Sequence, residues 1–304
     1  MPGLRVGHDG RVIIDLHTHS SVSDGTDSPA GLVTKAAQQG LDVLALTDHD
    51  TFDGLDEAER TAAEVGIVLL RGIEMSTQRD GHSVHLLGYG PREDDPALVA
   101  ELTRVRAGRD DRLGPLLDRL AELGMPLTEA QVLLHVGQSP SIGRPHVADA
   151  MVAAGYVADR AEAFDRFLAD GGPAHVPRYA TPLETAIALL RGAGAVTVIA
   201  HPWGREREQQ LPAEVLVELA GQGLDGIEVD HFDHRPDQRE RLHALADRAG
   251  LLVTGSSDHH GLGKVDHELA RHTTAPEVYA EIRRRMAERR RAGPGVDRPP
   301  AQAV

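Results

Sequence analysis

The chain contains no cysteine. That removes disulfides and thiolate metal ligands from consideration and is compatible with a cytoplasmic setting. Lysine is nearly missing too: only Lys35 and Lys264 occur, so arginine carries almost all of the positive charge. GC-rich coding bias accounts for that preference. Positive charge is also outweighed. The formal net charge is -15, which argues against a broad, non-specific nucleic-acid surface. A small anionic substrate is still admissible, because bound divalent cations invert the local charge of a carboxylate-rich site. There is no uninterrupted apolar run long enough to span a bilayer. Met1-Pro2-Gly3-Leu4-Arg5 lacks the basic-then-apolar order of a signal peptide. The expectation is a soluble, cytoplasmic protein. Its 304 residues, 40% of them hydrophobic, suffice for a large barrel with or without an insertion.

What is present is a series of apolar runs of strand length, each ending in histidine or a carboxylate. The first is Ile13-Ile14-Asp15-Leu16-His17-Thr18-His19, with Ser23-Asp24-Gly25 just beyond. Residues two apart on a strand point the same way, so the imidazoles of His17 and His19 converge, and Asp24 adds an oxygen. A second run closes on Asp48-His49-Asp50, a third on Gly72-Ile73-Glu74, and a fourth carries His85. Later runs end at Ala200-His201-Pro202, Glu228-Val229-Asp230-His231 and Ser257-Asp258-His259-His260. Helical patterns separate most of them: a stretch from Pro29 with Ser28 as N-cap, Leu55 to Val65, Leu183 to Gly192, Val215 to Gly221 and Gln238 to Gly250. Strand–helix alternation predicts right-handed βαβ units and a parallel sheet, and ligands around one rim favour a closed or nearly closed barrel over an open sheet.

At these residues the chain resembles the PHP superfamily, named for polymerase and histidinol phosphatase domains. The resemblance rests on His17-x-His19, Ser23-Asp24-Gly25, Thr47-Asp48-His49-Asp50, Gly72-Ile73-Glu74, His85-Leu86-Leu87-Gly88-Tyr89, Ala200-His201-Pro202 and Ser257-Asp258-His259-His260-Gly261, in family order over most of the chain. It implies an α/β fold, a distorted (β/α)7 barrel, with two or three divalent transition metal ions at the carboxyl ends of the strands. It further implies a first metal on His17, His19, Glu74 and Asp258, and a second on His85 and His201 bridged through Glu74. A third would take Asp24, His49 and His260; between His259 and His260, spacing favours His260. These residues would together form the catalytic centre. Mixed imidazole and carboxylate shells suit Mn, Fe or Zn better than Mg or Ca. Within the superfamily the chain is most similar to stand-alone phosphoesterases of nucleotides, which include nucleoside 3′,5′-bisphosphate phosphatases and 5′-to-3′ exonucleases of short RNA.

Between the fourth and fifth apolar runs lies a long segment without strand pattern. Helices are expected over Leu98 to Leu123, Thr128 to Val136, Pro145 to Ala154 and Ala161 to Leu168. The resulting division is barrel over 12–97, a helical insertion capping the barrel mouth over 98–182, barrel again over 183–291, and a disordered tail over 292–304. Substrate-binding candidates are Arg144 and His146 at a predicted helix start, where free N–H groups and the bidentate arginine fork suit phosphate. Arg178 follows as a weaker candidate. His231 and His234, beyond the sixth run, are read as supporting or substrate-facing groups; His82, His135 and His175 are read as structural or solvated.

The expected activity is hydrolysis of a phosphomonoester, or a short phosphodiester, of a nucleotide by a metal-bridging hydroxide. The partner is a small phosphorylated molecule, with no membrane and no extended nucleic acid. Three alternatives stand beside it: a histidinol-phosphate-type phosphatase, a phosphatase of a modified nucleoside in secondary metabolism, and a non-catalytic metal-binding PHP module. Amidohydrolases also use HxH, but many bridge their metals with a strand-end lysine. Here neither lysine ends a strand, and Glu74 supplies the bridge.

Overall fold

The computed structural model describes residues 12–293. The residues 1–11 and 294–304, including the start and most of the expected tail, lie outside them. Eight strands form one sheet: β1 (Ile14–Asp15), β2 (Val43–Leu46), β3 (Val68–Arg79), β4 (His82–Tyr89), β5 (Thr181–Pro182), β6 (Val196–Ile199), β7 (Gly226–Asp230) and β8 (Leu252–Gly255). The order is β1-β2-β3-β4-β6-β7-β8, with the short β5 beside the outer part of β3. A parallel bridge between Thr18 and His259, with the His19 amide donating to the His259 carbonyl at 2.9 Å, brings the two ends together. The result is a nearly closed, barrel-shaped sheet with helices outside it.

The sheet is mixed, not wholly parallel as the strand–helix alternation suggests. β4 runs antiparallel to both β3 and β6. The reason is local. Only Asp80-Gly81 separates β3 from β4, both with positive φ, and a two-residue turn returns the chain as a hairpin; a parallel crossover needs a dozen residues or more. Likewise β3 does not stop at Glu74 but runs on to Arg79, so Glu74 is a mid-strand residue.

Core packing explains which end of the barrel is open. Ile14, Leu16, Val43, Leu87, Tyr89, Val196 and Val198 are buried against Tyr279, Ile282 and Met286 of the last helix, Pro276–Ala292, which closes one end of the barrel. Each such side chain contributes about 1.5–3 kcal/mol by leaving water. A second apolar layer sits between the sheet and the helices Leu183–Gly192, Ala213–Gly221 and Pro236–Ala249. Ser28 caps its helix as the sequence suggests, accepting from the Gly31 amide at 3.0 Å.

Between β4 and β5 the chain forms helices Pro96–Asp111, Leu113–Glu122, Glu129–Leu133, Arg144–Ala153 and Arg160–Ala163, then a π-turn over Phe164–Leu168. The long helix expected over Leu98 to Leu123 breaks at Arg112. Pro115 is the cause: it has no amide to donate to the Asp111 carbonyl, and its ring crowds that carbonyl. Leu98 and Leu102 pack on the barrel, whereas Leu113, Leu116, Leu120, Val147, Met151 and Leu168 share a separate apolar cluster. No helix among the described residues is long and apolar enough to cross a membrane.

Candidate metal centre

The polar end of the barrel collects side chains from almost every strand. His17 and His19 follow β1, His49 follows β2, His201 follows β6, and Asp258 and His260 follow β8. Glu74 lies within β3, on the same face as Ser76, which pairs across the ladder with His85 of β4. Three non-glycine residues here adopt positive φ: Asp50 (56°), His201 (29°) and Asp258 (54°). Backbone of this kind costs on the order of 1–3 kcal/mol per residue and concentrates at functional sites. Gly25 is required for a different reason, since a Cβ there would sit 2.4 Å from the His19 carbonyl oxygen.

Glu74 is the centre of the arrangement. Its Oε2 lies 3.2 Å from His17 Nε2, 3.0 Å from His19 Nε2 and 3.2 Å from His49 Nδ1. Its Oε1 lies 2.9 Å from His85 Nδ1 and 3.6 Å from His201 Nε2. Asp258 Oδ1 is 3.5 Å from Nε2 of both His17 and His19. Asp24 stands 3.3 Å from His260 Nε2 and 3.6 Å from His49 Nε2. Three groups here could each hold an ion: His17, His19 and Asp258; His49, Glu74 and His85; and His19, Asp24, His49 and His260; a fourth, His231, Asp258 and His267, shares Asp258 with the first.

The donors fit metals by their chemistry. With bonds of about 2.0–2.2 Å, neighbouring nitrogen and oxygen ligands of one ion stand roughly 3.0–3.6 Å apart, as these do. His49 Nδ1 and Glu74 Oε1 are buried without a hydrogen-bond partner among the described residues, although Glu74 Oε2 stands 3.2 Å from the first and imidazole nitrogens crowd the second. Atoms packed so closely without bonding one another are arranged for a common third partner. A histidine- and carboxylate-rich cluster able to bind metal is therefore present.

Protonation of the cluster supports the same reading. Burial opposes charge on His17, yet the carboxylates of Glu74, Asp258 and Glu228 hold its pKa well above the usual value. Burial opposes charge on His19 as well, but Asp258 and Glu74 push it up to about 10. Burial instead drives His49 and His201 down to about 3, leaving them neutral. Without metal the carboxylates are thus balanced by protons on His17 and His19, which metal binding displaces. His19 is raised above its unfolded value of 6.5, so its stabilising contribution is complete below pH 6.5 and disappears as pH rises through about 10. Chelator-stripped protein should therefore lose Tm across that window, and metal-loaded protein should not. A flat or rising Tm for the stripped form would contradict this balance.

All nine residues expected as ligands meet in this cluster. His260 faces it, whereas His259 turns away, with Nδ1 2.7 Å from the His267 carbonyl oxygen and Nε2 3.3 Å from Asp27. The substrate candidates are placed differently. His146 accepts from the Gly143 amide at Nδ1, which leaves Nε2 to donate to the Ser23 carbonyl; no nitrogen remains for a substrate. His234 donates from Nδ1 to the Val229 carbonyl and accepts at Nε2 from the Trp203 amide, so it too is buried and fully engaged. The expectation of substrate contact gives way in both cases to backbone bracing. Arg144 donates to Asp170 and to the Leu168 carbonyl, each at 2.7 Å, and Arg178 donates to the Tyr179 carbonyl.

Sequence reasoning missed several supporting groups. Glu228, inside β7, lies 3.2 Å from His17 Nδ1, which turns His17 Nε2 toward Glu74, and accepts from the His201 amide at 3.0 Å. Burial would raise it, but His17 and His231 lower it to about 2, so it is a carboxylate. Asp48 accepts from Ser20 and Ser23 and holds the loop that carries Asp24. Lys264 forms an ion pair with Asp258. An acidic residue within an apolar strand, as at Glu228, is the one signal that was available. The remaining partners come from distant loops.

Residues 15–134 match the PHP domain family. The 3′,5′-nucleoside bisphosphate phosphatase of Chromobacterium violaceum is 33% identical, over 91% of this chain and 97% of the relative. The 5′-3′ exoribonuclease of Haemophilus influenzae is 36% identical, over 81% and 89%. Among solved structures, a protein from Bifidobacterium adolescentis described as a candidate metal-dependent phosphoesterase superposes with a TM-score of 0.85 at 38% identity, covering 89% of this chain and 95% of that one.

Proposed function

Because this chain belongs to the PHP domain family, as a metal-dependent phosphoesterase, we propose that its substrate is a nucleotide with two separate anionic groups, such as a nucleoside bisphosphate or a short 5′-phosphorylated oligonucleotide. One observation carries the choice: a cluster of arginines borders the metal ligands. Arg109 donates to Asp50 Oδ2 at 2.6 Å and to Ser76 Oγ at 2.7 Å, next to His49 and one step along the strand face from Glu74. Arg112, Arg144 and Arg178 share its electrostatic neighbourhood. Four guanidinium groups face two carboxylates, Asp50 and Asp170. Arg112 is only 7% exposed, and its guanidinium makes no hydrogen bond or ion pair among the described residues. Burial and the charges of Arg144, Arg178 and Arg109 push its pKa down to about 8. A buried cation in that situation gains most from an incoming anion.

His17, His19, Glu74 and Asp258 would hold one ion, with His85 and His201 joined to a second through Glu74 and Asp24, His49 and His260 around a third. Mn, Fe and Zn are the ions that suit these donors. When bound, such ions neutralise charge on the phosphoryl oxygens and make water a better nucleophile. The protein's own part is to hold the reacting phosphate against the ligand cluster while the arginines take the second anion, which fixes the scissile ester in place.

Phosphate release from a panel of substrates tests this reading. Nucleoside 3′,5′-bisphosphate is expected to exceed the matching monophosphate in kcat/KM by about tenfold or more, as one charge-assisted contact predicts. Histidinol phosphate carries an ammonium group that the arginines repel, so it should be poor. Equal turnover of mono- and bisphosphates would refute the two-anion proposal.

A further inference from the structure

The insertion does more than cover the barrel: two of its side chains hold the loops that carry the third group of ligands. Arg160 donates from Nε and Nη2 to both oxygens of Asp149, at 2.5 and 2.6 Å, which fixes its guanidinium. The remaining nitrogen, Nη1, donates at 2.8 Å to the backbone carbonyl of Asp24. The same group lies close against Gly263, where an added Cβ would come within 2.2 Å of Nη1. Gly263 is three residues beyond His260. The two loops are also tied to each other, through Thr26 N to His260 O at 3.1 Å and Leu262 N to Thr26 Oγ1 at 2.8 Å. His146 adds a second strut one residue away, at the Ser23 carbonyl.

We infer that Arg160 is a positioning residue that sets the affinity of the Asp24–His49–His260 group for its divalent cation. The inference rests on reading those three residues as a metal site. The other ligands need no such help. His17, His19, Glu74, His85 and His201 sit on or within a few residues of barrel strands, whose ladders orient them. Asp24 and His260 lie on loops, and Arg160 joins both loops to the insertion. Metal affinity falls about 10–100-fold when groups that orient ligands are removed, and a carbonyl-anchored arginine fits that role.

The test is Mn titration of the metal-free full chain by equilibrium dialysis with elemental analysis, run on wild type, Arg160→Met and Arg160→Lys. The expected result is three ions in wild type, one of them about 10–100-fold weaker in Arg160→Met, and partial recovery in Arg160→Lys. A uniform weakening of all three ions would indicate a general structural role and overturn the inference, as would unchanged binding. A wild type that never takes a third ion would overturn it too, while leaving the two-anion phosphoesterase reading intact. If Arg160→Met does not fold, Asp149→Asn decides the question: it releases the guanidinium from outside but retains Arg160. Selective loss of one ion in that variant supports the inference, and wild-type titration refutes it.

Discussion

Glu74→Ala is expected to reduce phosphate release by more than about a thousandfold, and Asp24→Ala by much less at saturating metal. Five imidazoles lie within 3.6 Å of the two Glu74 oxygens. Removing this carboxylate takes the shared oxygen pair from two ligand groups at once and leaves those imidazoles with less negative charge to face. Losing several kcal/mol of charge stabilisation in the transition state corresponds to three or more powers of ten in rate. Asp24 lies at the edge, against His260 and His49, so its loss should affect one group only. Metal content and kcat measured together decide between them. Equal residual rates for the two variants at saturating Mn would show that Glu74 is not the bridge.

Arg112→Ala should cost about ten- to a hundredfold in kcat/KM for a nucleoside bisphosphate, which is the loss of one charge-assisted contact of about 1.5–3 kcal/mol. Arg144→Ala should cost less, because its guanidinium is already committed to Asp170 and the Leu168 carbonyl. Arg112→Lys should restore only part of the loss, since a point charge does not reproduce the planar fork. The informative comparison is with p-nitrophenyl phosphate, which presents only the reacting phosphate. If Arg112 holds the second anion, that substrate should hardly respond to the variant. An equal loss on both substrates would place Arg112 at the reacting phosphoryl group, and unchanged kinetics on both would remove it from the site.

The sequence by itself determined the barrel and which histidines and carboxylates gather at its rim. Strand ends are where a short apolar run meets water, so a histidine or carboxylate at the end of a buried run announces both the strand and the rim. This local rule placed His17, His19, His49, His201 and Asp258 without any knowledge of distance. Spacing within the last motif favoured His260 over its neighbour His259, and the fold turns His260 toward Asp24 and Asp258 and His259 toward Asp27. The tertiary structure alone decided the direction of β4, because a hairpin and a crossover differ only in the few residues that separate two similar apolar runs. It alone paired Glu228 with His17, since the two are 211 residues apart and no short-range pattern links them. It also distinguished the histidines and arginines of the insertion. His146 and Arg144 look alike as phosphate binders at a helix start, yet folding directs one to the Ser23 carbonyl and the other to Asp170, while the unremarked Arg112 is buried with no ion-pair partner among the described residues. Ligands on strands follow the register of the sheet and can be read from spacing. Side chains that act across the gap between insertion and barrel answer to packing between distant segments, which a linear pattern does not encode.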